Sequence, residues 1–138
     1  MEETDPRQLL DWDALEIGEK FPNYEYILTQ DMLDRYREGV MDPEAAFPTI
    51  SHKVDVGAYN RKYRDHGSAN ARCAFHCYNP PIPGKRITVT AWIADKYVRR
   101  GKTYIVTEAV SVDEDGRLLD RVMTHELKQP GEVGKKWG

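Results

Sequence analysis

Asn79-Pro80-Pro81-Ile82-Pro83-Gly84-Lys85-Arg86 stands between two runs that read as strands. Ala71-Arg72-Cys73-Ala74-Phe75-His76-Cys77-Tyr78 leads in, with Ala71, Cys73, Phe75 and Cys77 on one face and Arg72, His76 and Tyr78 on the other. Ile87-Thr88-Val89-Thr90-Ala91-Trp92-Ile93 leads out, with Ile87, Val89, Ala91 and Ile93 forming one face. Between them, three prolines and a glycine break the ladder, because proline fixes φ and carries no N–H to donate. Two further strands are expected, Tyr104 to Val112 and Leu118 to Leu127. Arg99-Arg100-Gly101-Lys102 and Asp113-Glu114-Asp115-Gly116 form the turns, with Gly116 free to take positive φ.

Toward the N-terminus, Gln8 to Leu15 reads as a short helix and Tyr24-Glu25-Tyr26-Ile27-Leu28 as the first strand. Thr29 is a good N-cap for a helix from Gln30 to about Gly39, with Asp31 favourable in its first turn and Met32, Leu33 and Tyr36 as the buried stripe. Asp42-Pro43-Glu44 starts another helical turn, and Thr49 to about Tyr63 is expected to be a long, rather polar central helix. Residues 1–21 are a short extension and residues 129–138 a polar tail around a single domain, 1–138.

A chain of 138 residues can build one real core. Its net charge of -3 argues against nucleic acid or an anionic membrane as partner. No apolar run approaches a bilayer span, and the acidic Met1-Glu2-Glu3-Thr4-Asp5 is followed by no apolar segment, so a cytoplasmic protein is expected. Cys73 and Cys77, four apart on one strand, are about 13 Å apart and cannot bridge. They read as small core hydrophobes of a reduced protein. No second Cys/His pair has ligand spacing, so no metal is expected.

Three phrases occur in order: Pro80-Pro81-Ile82-Pro83-Gly84-Lys85-Arg86-Ile87-Thr88-Val89, Asp95-Lys96-Tyr97-Val98-Arg99-Arg100-Gly101-Lys102-Thr103-Tyr104-Ile105-Val106, and Asp113-Glu114-Asp115-Gly116-Arg117-Leu118. Together they resemble the MaoC-like dehydratases, in particular their FAS1-type N-terminal domain. The resemblance implies an α+β hot-dog fold, an antiparallel sheet wrapped around a central helix. It also implies an acyl-CoA thioester as substrate, with coenzyme A part of the substrate and no separate cofactor. Such proteins pair edge to edge, so a homodimer, a higher oligomer or a heteromer with a second hot-dog subunit is expected.

Active hydratases of that superfamily carry an Asp and, five residues later, a His before the central helix. The pair grips the water that adds to or leaves the substrate. Here that segment holds Asp42, and the position five further on is Phe47. Asp120 and His125 have the spacing, but on one strand they face opposite ways. The resemblance leaves His52, paired with Asp42 or Asp55, and His66 as catalytic candidates. Arg61 and Arg64 could meet the phosphates of coenzyme A, and Gly67 and Ser68 could donate N–H groups to a thioester carbonyl. His76 could face the ligand or a partner. A solvated helix face, or an ordinary loop or sheet face, accounts for each of these residues equally well.

Three functions follow: a hydratase or dehydratase acting on an enoyl- or 3-hydroxyacyl-CoA; a non-catalytic subunit that completes a partner's acyl tunnel; and an acyl-CoA thioesterase using Asp55.

Overall fold

The computed structural model describes residues 7–45, 63–64 and 68–128. Five strands form one antiparallel sheet: β2 (Tyr24–Ile27), β4 (Ser68–Cys77), β5 (Arg86–Arg99), β6 (Lys102–Asp113) and β7 (Leu118–Lys128), in the order β2-β5-β6-β7-β4. A two-stranded parallel pair, β1 (Gln8–Leu9) with β3 (Tyr63–Arg64), stands apart from it.

The proline-rich stretch sets this order. β4 and β5 follow each other in sequence but are separated in the sheet by β6 and β7, so the connection must cross one end of the sheet. It is first tied to β7, where the Tyr78 N–H donates to the Leu119 carbonyl and the Asn79 side chain to that of Leu118. It then reaches the end of β2, where the Gly84 N–H donates to the Leu28 carbonyl at 2.8 Å. Between these anchors, Pro83-Gly84 makes a turn closed by the Lys85 N–H on the Ile82 carbonyl, with Gly84 at φ 90. Proline then positive-φ glycine is the type II pattern.

β5, β6 and β7 form a meander. The β5–β6 turn is Arg100-Gly101, with φ values of 51 and 74, the type I′ pattern that suits the twist of a hairpin. β5 runs six residues beyond Ile93, because a bulge between Ile93 and Asp95 reverses its alternation. A period-two reading therefore stops at Ile93.

One face of the sheet, the inner one, carries the core. Ile87, Val89, Ala91 and Ile93 of β5 and Ile105 and Ala109 of β6 pack with Leu15, Phe21, Leu28, Tyr63 and Leu119. The residues before β2 reach this core as the short strand β1 followed by turns rather than as a helix, which corrects the expectation for Gln8 to Leu15. Eight residues make a marginal helix, and tertiary contacts hold them instead. The Trp12 indole donates to the Tyr104 carbonyl, and Lys96 Nζ lies 4.7 Å from the Trp12 ring and donates to the Trp12 and Asp13 carbonyls.

The expected central helix lies outside the described residues up to position 62. Its last residue, Tyr63, belongs to β3 and not to a helix; its ring is buried and its hydroxyl donates to Glu19 at 2.6 Å.

α1 (Gln30–Gly39) begins where expected, with the Thr29 side chain accepting the Met32 N–H and Leu33 buried. It ends in a Schellman motif: Met41 N–H donates to Glu38 and Asp42 N–H to Arg37. Met41 takes φ 54 there, the left-handed position usually held by glycine, and its side chain is 90% exposed. With no contacts to lose, Met41→Gly is expected to raise stability by about 0.5 kcal/mol, relief of the left-handed strain exceeding the entropy glycine adds to the unfolded chain. A denaturant titration that showed a loss would mean that the exposed side chain has a partner.

Candidate functional site

Residues paired across a ladder project on the same face of the sheet. The register therefore gives the composition of the inner face strand by strand. Ser111 of β6 stands opposite Asp120 of β7, and Asp120 opposite Cys77 of β4. Ala109, Val122 and Phe75 form the next rung, Thr107, Thr124 and Cys73 the one after, and Ile105, Glu126 and Asn70 the fourth. Lys128 and Ser68 close the series. The inner face is thus apolar over β5 and largely polar over β7, where the Ala109–Val122–Phe75 rung interrupts the polar series.

The polar half is buried on β7 and open on β4. Asp120, Thr124, Glu126 and Lys128 are each at most 8% exposed, whereas Cys73 and Cys77 are exposed. Glu126 and Lys128, two apart on one strand, form an ion pair at 2.8 Å. Among the described residues, the Thr107 and Thr124 hydroxyls, facing each other across the ladder, have no hydrogen-bond partner although both residues are almost completely buried. Buried hydroxyls are normally satisfied, so this rung has hydrogen-bonding capacity to spare.

The exposure of Cys73 and Cys77 corrects the expectation that they are core residues. They do lie on the inner face, but β4 is an edge strand, and the inner face is not covered there. Burial raises the pKa of both thiols, and the nearby Asp120 carboxylate raises that of Cys77 further. Both are therefore protonated near neutral pH, which disfavours a thiolate nucleophile. Among the described residues, no group of three His, Cys, Asp or Glu side chains could hold a metal ion.

The outer face carries an aromatic cluster near the β5–β6 turn. Tyr97 and Tyr104 stack with centroids 4.8 Å apart, and the Tyr97 hydroxyl is 3.0 Å from His125 Nδ1. Burial and the Arg72 guanidinium lower the His125 pKa, with Asp95 acting against them, so the imidazole is neutral at pH 7. Asp120, on the inner face, is separated from His125 by the sheet, as the strand geometry predicts.

Of the candidates drawn from sequence, Asp42 is exposed, and its Oδ1 accepts the Glu44 N–H at 3.0 Å, which shapes the turn after α1. It borders a surface depression lined by Asp34, Arg37, Glu38, Met41 and Pro43. His76 is exposed on the outer face of β4, opposite Arg121. Arg64 is in β3, and Ser68 opens β4 opposite Lys128. His52, Asp55, Arg61, His66 and Gly67 lie outside the described residues. Among the described residues, Asp42 and His76 lie on separate elements, and no hydrogen bond or ion pair joins them. The inner-face row was missed by sequence reasoning, although one signal was present: Asp120, Thr124, Glu126 and Lys128 are polar residues at same-face positions of one strand, interrupted only by Val122.

No family model matches the chain, and no curated protein matches it. Solved structures do. A MaoC-like dehydratase from Rhodospirillum rubrum superposes with a TM-score of 0.66 at 12% identity, over 88% of this chain and 99% of that one. The R-hydratase PhaJ1 from Pseudomonas aeruginosa superposes with a TM-score of 0.67 at 13% identity, over 95% and 97%. The HadBC complex, a 3R-hydroxyacyl-ACP dehydratase from Mycobacterium tuberculosis, does so with a TM-score of 0.61 at 16% identity, over 80% of this chain and 96% of that one. Likeness of this extent at such identities establishes architecture, and the chain has the hot-dog fold of these dehydratases and hydratases.

Proposed function

We propose that this chain is a hot-dog subunit that holds an acyl thioester against the polar half of its inner face and takes part in its hydration or dehydration. The observation that carries this reading is the row of buried polar side chains on β7 that stays open along β4. A thioester needs an apolar wall for its acyl chain and hydrogen-bond donors and acceptors for its carbonyl and pantetheine amides. The inner face offers both, the polar groups of β7 and, on the edge strand among them, the half-buried Phe75 opposite Val122. The unpaired edge of β4 is where a second hot-dog subunit, identical or different, would close the cleft.

In the catalytic version, water adds across, or leaves from, the Cα–Cβ bond of an enoyl- or 3-hydroxyacyl-CoA. In hydration a base takes a proton from water as its oxygen bonds to Cβ and an acid gives a proton to Cα; in dehydration the base takes the Cα proton and the acid protonates the leaving hydroxyl. His52 or His66 is the proposed imidazole. No redox step is involved, and coenzyme A enters as part of the substrate.

A second reading has the chain bind the thioester and leave the chemistry to its partner. The position of Asp42 favours it: the carboxylate is exposed and engaged with the Glu44 N–H, and no described histidine stands beside it.

Loss of enoyl absorbance with crotonyl-CoA, followed on the purified chain and on His52→Ala and His66→Ala, tests these readings. Turnover abolished by one substitution supports the catalytic version and names the histidine. Binding of crotonyl-CoA without turnover supports the second reading. Absence of binding by folded protein overturns both.

A further inference from the structure

Arg99, Arg100 and Lys102 surround the two-residue β5–β6 turn. Three features of this turn work against the fold that contains it. Arg99 and Lys102 are direct cross-strand partners, so like charges face each other. Arg100 holds φ 51 at a type I′ position where asparagine or glycine is usual. Val98 is 59% exposed beside them. Among the described residues, no carboxylate pairs with any of the three cations.

The opposite end of β6 shows the contrast. Its hairpin carries Asp113, Glu114 and Asp115, and two of these carboxylates are paired with cations of the chain. Asp115 pairs with Lys85 at 3.0 Å, Asp113 with Arg117 at 3.7 Å, and Glu114 accepts the Arg86 N–H at 2.9 Å. Of the two hairpins of the meander, the basic one has no cation paired with a carboxylate among the described residues.

We propose that this hairpin is a docking surface for an acidic carrier protein that presents the acyl group as a thioester. The inference rests on the function proposed above and names how its substrate is delivered. Strain and repulsion without internal compensation persist where function requires them. The side chains are of the kind that anchor protein interfaces: arginines beside the stacked Tyr97–Tyr104 pair, which shares the outer face with Arg99 and Lys102. Arg99 and Arg100 stand exposed at a protruding turn, which suits an opposing surface better than a nucleotide, which is held by burial in a cleft. The position also fits delivery. Lys102, on the outer face, is three residues, about 10 Å, along β6 from Ile105, whose rung with Glu126 is next to the Lys128 end of the inner-face row.

The test uses the full chain and a triple variant, Arg99→Gln, Arg100→Asn and Lys102→Gln. Asn-Gly is a preferred type I′ pair, and removing the facing charges relieves repulsion. The variant is therefore expected to melt no lower than the parent, and misfolding cannot explain a loss. Binding is titrated with two probes carrying the same acyl group, a crotonyl-loaded acyl carrier protein and crotonyl-CoA, and with duplex DNA as a control polyanion. The expected result is at least a tenfold loss of carrier-protein affinity in the variant, with crotonyl-CoA affinity unchanged within about twofold. Carrier-protein binding that survives in the variant overturns the proposal. So does a parallel tenfold loss for crotonyl-CoA, which would assign the cations to the nucleotide. DNA binding that is lost in the variant, with no carrier-protein binding by the parent, also overturns it. Crotonyl-CoA bound and the carrier protein not bound overturns this inference alone, whereas neither bound overturns the function reading as well.

Discussion

Lys128→Met is expected to lower stability by about 3 kcal/mol and the melting temperature by about 10 °C. Lys128 and Glu126 are 6% and 8% exposed, and their ion pair is 2.8 Å long. Methionine fills the space of the lysine stem but removes the charge, which leaves the Glu126 carboxylate buried without this cation. Most of the expected cost is the desolvation of that stranded carboxylate rather than the lost attraction. The double variant Glu126→Leu, Lys128→Met should therefore recover most of the loss, because it removes both charges together. Chemical denaturation of the parent, both single variants and the double variant closes the cycle. A single-variant cost under about 1 kcal/mol would show the pair to be hydrated in solution, and the inner-face site would lose its end point.

Ile93→Ala should cost about 3–4 kcal/mol. Ile93 is 1% exposed in the core. Its backbone also fastens the N-terminal segment: the Gly18 N–H donates to the Ile93 carbonyl at 2.7 Å, and the Ile93 N–H donates to the Glu19 carbonyl at 2.9 Å. Three carbons removed from this site leave a cavity between β5 and the turns that cover it, and the two hydrogen bonds keep those turns from collapsing into the space. Ile82→Ala is the internal control. Ile82 is 43% exposed in the crossing loop, and the same chemical change there is expected to cost under about 0.5 kcal/mol. Equal costs at the two positions would contradict the placement of the core.

Several elements could be read from the sequence because their causes are local. Proline and glycine at 80–84 can make only a break and a turn, and Thr29 caps α1 through its own side chain. The strands of the meander followed from alternation up to Ile93, where one bulge shifted Lys96 onto the face that Ile93 occupies and hid the rest of β5. What depended on distant partners was not legible. Gln8 to Leu15 has helical spacing, but Lys96 and Tyr104, more than 80 residues away, hold it as turns. Cys73 and Cys77 have the alternation of a buried face, and nothing in their own segment reveals that β4 ends the sheet.

The candidate site was less legible than the fold, for a related reason. Family resemblance directed attention to the segment around His52, whereas the described site arises from register. That Thr107 meets Thr124, or that Cys77 meets Asp120, follows from how strands slide against each other, and periodicity within one strand does not fix that.

The unequal ends of β6 also give the molecule an orientation. Lys102 and Asp113 are separated by about 36 Å of extended chain, and charge is cancelled locally at one of these ends and left bare at the other. Among the described residues, charge is therefore distributed unequally along the strand, with the bare cations at the Arg99–Lys102 end. In the field of a charged body the molecule experiences a torque before it experiences contact. At physiological salt that field extends about 8 Å beyond the surface. Within that shell, rotational diffusion is biased, and the basic tip leads the approach.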